Sequence, residues 1–177
     1  AHGPSVATLT ATHDAQWSTP GQAALAAGQP LYPNQRLALT QGYAEITTAR
    51  GAVAILEAPA TVELLNNNAI RLHAGKLVGI CETEYSQGFL VRTPHMDIID
   101  LGTQFGVAVR ENGAALTEVF DGAVRVEALS ANGGTVELTG GKAYAVDASG
   151  SAIPPEIFEP GLFARLLAAH EGITAIS

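Results

Sequence analysis

Apolar and polar positions alternate along most of this chain in runs of about five to eight residues, rich in β-branched side chains. Thr117-Glu118-Val119-Phe120 and Ala123-Val124-Arg125-Val126-Glu127 are two such runs. Turn signals separate them: Pro33-Asn34, Gly42, Gly51, Asn66-Asn67-Asn68, Ala74-Gly75, Gln87-Gly88, Asp100-Leu101-Gly102, Asn112-Gly113, Asp121-Gly122, Asn132-Gly133-Gly134, Gly140-Gly141 and Ser149-Gly150. Short strands with turns at this spacing predict an all-β fold, and nothing reads as strand–helix–strand. The strongest hairpin signal is "LTEVFDGAVRVEAL", where Asp121-Gly122 suits a type I′ turn. Asn112-Gly113 in "VAVRENGAAL" and Asn132-Gly133-Gly134 carry the same chemistry.

An approximate internal repeat sharpens the picture. "ATVELLNNNAIRLHAGKLVGI" (60–80) parallels "AVRVEALSANGGTVELTGGKAYAV" (123–146): strand, polar turn, strand, Gly-Lys, short apolar strand. Two such β-meanders suit a jelly-roll-like antiparallel β-sandwich, with a short β-solenoid as the alternative. Near the end, "PPEIFEPGLFARLLAAHEG" predicts one short C-terminal helix. Leu162, Phe163, Leu166 and Leu167 share its face, Pro160 lies in its first turn and Gly172 just past its last. The expected organisation is a β-sandwich domain over 1–153, with a helix and tail over 154–177 packing on it or leading to a following domain.

Composition narrows the partners. The 177 residues include 17 acids and nine Lys or Arg, for a net charge of −8. Binding phosphate needs clustered cations, which are missing, so no nucleic-acid partner is expected and no anionic membrane surface either. No run of eighteen apolar residues exists, so no direct membrane insertion is expected within these bounds. The chain does not begin with Met and carries no signal peptide. It reads as a piece of a longer protein whose targeting segment lies elsewhere.

Candidate chemistry is sparse. His2, His13, His73, His95 and His170 never fall at a spacing that puts two metal ligands on one side of a strand or helix. The lone Cys81 follows apolar "KLVGI" and reads as a buried thiol. No nucleophile elbow, phosphate loop or dinucleotide fingerprint appears. The pairs Glu118/Asp121 and Asp97/Asp100 read as solvated faces and turn caps rather than a glycosidase dyad. The chain therefore reads as a non-enzyme with no cofactor and no metal.

One junction stands out. In "TPHMDIIDLGTQFGVAV", Ile98-Ile99 run into Asp100, Leu101, Gly102 and Thr103 before Phe105, Val107 and Val109 alternate again. An Asp can accept hydrogen bonds from the amides of Gly102 or Thr103 and lock a tight corner, while Gly102 supplies a φ that branched residues avoid. Thr103 can add a hydroxyl bond. Pro94 just upstream ends pairing or marks an edge. Asp100 then holds a corner where the chain leaves one layer for the other.

These residues resemble the FecR domain, planctomycete-type examples in particular. "GFLVRTPHMDIIDLGTQFGVAV" is similar to its central signature, "LYPNQRLALTQGYAEITTARGAVAILEAPATVELL" to its opening strands and "LTEVFDGAVRVE" to the hairpin that follows. The resemblance spans about 5–146 and marks Thr93, Pro94, Asp100, Leu101, Gly102, Thr103, Phe105, Asp121 and Gly122 as structural signature residues. It implies a jelly-roll-like sandwich that serves as the periplasmic sensor of a membrane-anchored regulator of an extracytoplasmic-function sigma factor. The implied anchor is an inner-membrane segment outside this chain. The implied partner is a protein: an outer-membrane transporter signalling domain, or a neighbouring domain of the same chain. A carbohydrate-binding or structural module of a surface protein is the alternative. It would need exposed aromatics among Trp17, Tyr32, Tyr43, Tyr85 and Tyr144, several of which alternation should bury.

Overall fold

A computed structural model describes residues 3–18, 25–129 and 134–176, with side chains through 172. Its eleven strands among these residues are β1 (Ala7–Trp17), β2 (Pro30–Leu31), β3 (Arg36–Thr48), β4 (Val53–Asn66), β5 (Ala69–Cys81), β6 (Leu90–Arg92), β7 (Met96–Val109), β8 (Ala115–Ala128), β9 (Thr135–Thr139), β10 (Ala143–Val146) and β11 (Ala152–Ile153). A helix, α1, spans Ala164–Ile176. The strands form one open sheet in the order β11-β10-β8-β7-β6-β5-β4-β3-β1-β2. β9 joins β8, and β7 also pairs directly with β5. Neighbours are antiparallel apart from the parallel β5–β6 pair.

The strands are longer than the sequence runs suggest. β3, β4, β5, β7 and β8 each hold 13 or 14 residues. The turn signals divide into two kinds. Gly51, Gln87-Gly88, Asn112-Gly113, Gly140-Gly141 and Ser149-Gly150 sit in true turns. Gly42, Gly75, Gly102 and Gly122 sit inside strands, all with positive φ, where the ladders lose register. A glycine that breaks a pattern marks a bulge as readily as a turn, and a bulge bends the strand instead of ending it.

Asp121-Gly122 is therefore no hairpin. β8 runs straight through it, opposite Gln104 and Thr103. Asn112-Gly113 does form one: Gly113 N bonds Arg110 O at 2.9 Å and Arg110 N bonds Ala114 O at 2.8 Å. Most of the third expected turn, at Asn132-Gly133-Gly134, lies outside the described residues.

The bends fold the sheet over itself. Fourteen extended residues would span about 45 Å. Yet His95, just before β7, and Gly113, beyond its end, are neighbours: a Cβ on Gly113 would lie 3.3 Å from His95 Nε2. The enclosed face carries the main core, including Leu9, Leu37, Ile46, Leu56, Leu64, Ile70, Phe89, Phe105 and Val126. This is the expected jelly-roll-like arrangement as an open sheet, and its antiparallel ladders are not those of a solenoid.

The repeat has a structural counterpart. β5 pairs with both halves of β4: Ala69 to Ala74 against the downstream half, Lys76 to Ile80 against the upstream half. β9 and β10 together do the same along β8, through Ala123–Glu127 and Ala115–Glu118. In the first copy Gly75-Lys76 bends one continuous strand. In the second, Gly140-Gly141 opens a turn and splits it.

A second core lies on the outer face, where Ile55, Val78, Ile80, Ala108, Leu116 and Ala145 meet Phe158, Phe163 and Leu166 from the C-terminal segment. The helix starts later than expected, at Ala164, with Leu162 and Phe163 in the preceding turn, and it continues through Gly172. A helical Gly costs only about 1 kcal/mol relative to Ala, too little to end a helix by itself. Phe163 is 2% exposed and its ring lies against Gly106 and edge-on to Phe120.

Candidate functional site

The Asp100–Thr103 junction lies inside β7 and changes that strand's neighbour. Upstream, Asp97, Ile98 and Ile99 pair with β6. Downstream, Thr103 to Val109 pair with β5, beginning at Cys81. The ladder to β8 slips across the same residues. Gly102 adopts φ +104°.

Asp100 is fully buried. Its Oδ1 is hydrogen-bonded to Thr103 Oγ1, and Thr103 Oγ1 also reaches Ala123 O at 2.6 Å. The Thr103 hydroxyl thus donates into a pair of acceptor oxygens, the Asp100 carboxyl and the Ala123 carbonyl. Burial raises the carboxyl's pKa, and the Thr103 hydroxyl, the Gly102 amide and the Cys81 thiol oppose it less strongly. Oδ2 makes no hydrogen bond.

Around this acid sits a polar knot that only tertiary structure assembles. Cys81 is buried beside it, its thiol pKa pushed up first by burial and then by the Asp100 charge. Such a thiol is a poor nucleophile. The loop from Thr83 to Phe89 closes over the corner: Gly88 N bonds Asp100 O at 3.0 Å, and Asp100 N bonds Phe89 O at 2.9 Å. Ser86, fully buried, donates to Thr83 O at 2.8 Å. Asn68 Nδ2 reaches Ser86 O at 3.3 Å and Gln87 O at 3.4 Å. Sequence reading passed over Ser86 and Asn68. A polar residue flanked by turn signals gives no sign that its partners lie eighteen residues away.

The signature residues fall into two groups. Asp100, Gly102, Thr103 and Gly122 meet at the corner, where Gly122 packs on the Gly102 carbonyl. Phe105 lies just inside, its ring covering cross-strand Gly79 and tilted against Phe89, centroids 6.4 Å apart. Leu101 and Asp121 point outward. Thr93 and Pro94 sit apart, in the turn between β6 and β7. There Thr93 Oγ1 donates to Met96 O at 2.8 Å, and Pro94 is exposed. The Asp97 carboxylate is clamped by Arg92 through two bonds of 2.9 Å. It does not join Asp100 as a dyad.

Among the described residues no three His, Cys, Asp or Glu side chains form a metal-holding group. His73 instead meets Glu63 at 3.1 Å, and His95 Nε2 meets Ala148 O at 2.8 Å. Of the five candidate aromatics, only Tyr85 stands free, 77% exposed. A cleft of about 510 Å³ runs along the bends of β3, β4 and β5 to the C-terminal segment. Glu57 and Lys76, 3.4 Å apart, lie within it, and Arg110 stacks at its rim over Phe158.

Fold and corner together define an antiparallel β-domain whose buried polar groups hold shape. The FecR protein family model matches residues 40–125, and the chain contains a FecR domain over that span. No curated protein matches the chain. Two crystal structures of a putative anti-sigma factor from Parabacteroides distasonis ATCC 8503, at 2.50 and 1.65 Å resolution, share the fold. Each aligns with 66% of this chain at 18% identity and a TM-score of 0.55. The aligned region spans 56% and 57% of those chains, little more than half their length.

Proposed function

We propose that this chain is a non-enzymatic, extracytoplasmic signalling and protein-interaction module, the periplasmic sensor part of a membrane-anchored regulator of an extracytoplasmic-function sigma factor. The observation that carries the reading is the FecR match over 40–125, which includes the buried corner. The corner supports it chemically: an unreactive thiol and a buried acid bonded to its own backbone neighbourhood suit a scaffold better than turnover. No described helix is long and apolar enough to cross a membrane. The anchor in this reading therefore lies outside the chain described. In this reading residues 1–153 are the module, and the C-terminal helix and tail over 154–177 either pack on it or link it to a following domain. The partner is a transporter signalling domain or a neighbouring domain of the same protein.

The test is an in-frame deletion of residues 40–125 from the full-length protein in its own cells, with sigma-dependent transcripts measured. Loss of signal response is expected. An unchanged response would sink the regulatory reading. Protease treatment of spheroplasts checks the location, since an extracytoplasmic module is cut without lysis.

A further inference from the structure

We propose that the loop between β5 and β6 is a protein-docking surface. Its anchor is Tyr85, and the partner it fits carries an apolar slot rimmed by Lys or Arg. The proposal rests on the regulatory reading only in requiring a protein partner.

Tyr85 is the most exposed large apolar side chain among the described residues, at 77%. One exposed ring is ordinary by itself. Its support is not. Arg50 Nε donates to the Tyr85 carbonyl at 2.7 Å. The next residue, Ser86, is fully buried and tied to Thr83, while Asn68 holds the Ser86 and Gln87 carbonyls. Gly88 and Phe89 are bonded to the backbone of Asp100. The backbone under Tyr85 is thus fixed from four directions while its side chain stays largely exposed.

That combination is what an interface anchor requires. An aromatic with two rotatable bonds on an ordered backbone loses little entropy on docking. Tyrosine is among the residues that dominate interface energies. Leu101, 39% exposed, extends the apolar surface: it follows Asp100, to which Gly88 is bonded, and Gln87 packs beside Gly102. Glu82 and Glu84, close to Tyr85 in the chain, are both exposed. The Arg50 guanidinium, held on the Tyr85 carbonyl, is a single cation against these two carboxylates. In a chain of net charge −8, this surface favours a cationic rim and repels nucleic acid or an anionic bilayer.

The experiment places a photo-crosslinking benzoylphenylalanine at Tyr85 in the full-length protein in its own cells, with Ile157, 57% exposed, as control position. One protein adduct from position 85 and none from 157 is expected. With that partner purified, Tyr85→Ala should raise Kd at least about tenfold at nearly unchanged Tm, since the side chain is 77% exposed. Glu82→Gln with Glu84→Gln should raise Kd severalfold and flatten its salt dependence. No adduct at 85, an equal adduct at 157, a lipid or glycan adduct, or an unaltered Kd in Tyr85→Ala overturns the proposal. If deleting 40–125 abolishes signalling while any of those results holds, the docking surface falls and the regulatory reading stands. If the adduct forms and Tyr85→Ala weakens it while the deletion leaves signalling intact, the surface stands and the regulatory reading falls.

Discussion

The carbonyl oxygen of Gly102 occupies the space where a side chain on Gly122 would begin. Two bulges face each other here, one in β7 and one in β8, and the missing Cβ lets the strands close. Gly122 also holds φ +88°. Gly122→Ala therefore meets both strain and collision and should cost about 1–3 kcal/mol, read from urea unfolding. Gly141→Ala is the control. Its φ of +86° is similar, but a Cβ there meets nothing within 4 Å, so its cost should be smaller. Equal losses would mean that the close approach contributes nothing.

Asp100 sets a pH dependence whose sign follows from burial. Its folded-state pKa lies above the ordinary carboxyl value, with burial as the main cause. The stability linked to this group is therefore fully present below the unfolded pKa, near 3.9, and is lost as pH rises through the folded value. Asp100→Asn keeps an acceptor oxygen for the Thr103 hydroxyl but cannot ionise, so it removes the linkage. The difference in Tm between the variant and the parent should grow in the variant's favour from acid toward neutral pH. Asp100→Ala should cost about 1–2 kcal/mol at acid pH through the orphaned Thr103 neighbourhood. A pH-independent difference between Asp100→Asn and the parent would show that folding leaves the proton affinity of the Asp100 carboxyl unchanged.

Cys81 should be inert in the native protein. It is 3% exposed, and burial followed by the Asp100 charge raises its thiol pKa. A disulfide reagent at pH 8 should label it only with unfolding, at a rate that rises with urea. Rapid native labelling would contradict the buried knot.

The C-terminal segment should behave as core. Phe163→Ala removes a ring that is 2% exposed and packed on Gly106 and Phe120, and should cost about 3–5 kcal/mol. Leu167→Ala, only half-buried, should cost clearly less. If Phe163→Ala barely moves the unfolding midpoint, the helix is a loosely attached tail.

Much of this architecture is readable from the chain itself. Period-two alternation shows which side chains share a face, and in the run Ala123 to Glu127 the two alternating valines, Val124 and Val126, are both buried. The Asp100-Gly102-Thr103 junction is legible because only a few residue types accept a bent backbone. The Asn112-Gly113 hairpin is local, and a four-residue turn carries its own instructions.

Other features depend on what lies across the sheet. Asp121-Gly122 has a hairpin's local chemistry, yet β8 continues through it because β7, bulged opposite at Gly102, supplies the ladder on the far side. Turn and bulge ask the same thing of a glycine, and only pairing partners distinguish them. Cys81, Ser86 and Asn68 are unremarkable where they stand in sequence; the fold gathers them around the Asp100 corner, and burial there raises the acid's pKa. By itself the sequence determined the alternation, the corner residues and the FecR match over 40–125. The tertiary structure decided which breaks are bends, which polar groups lose water and which ring is left facing solvent, because each depends on contacts between residues far apart in the chain.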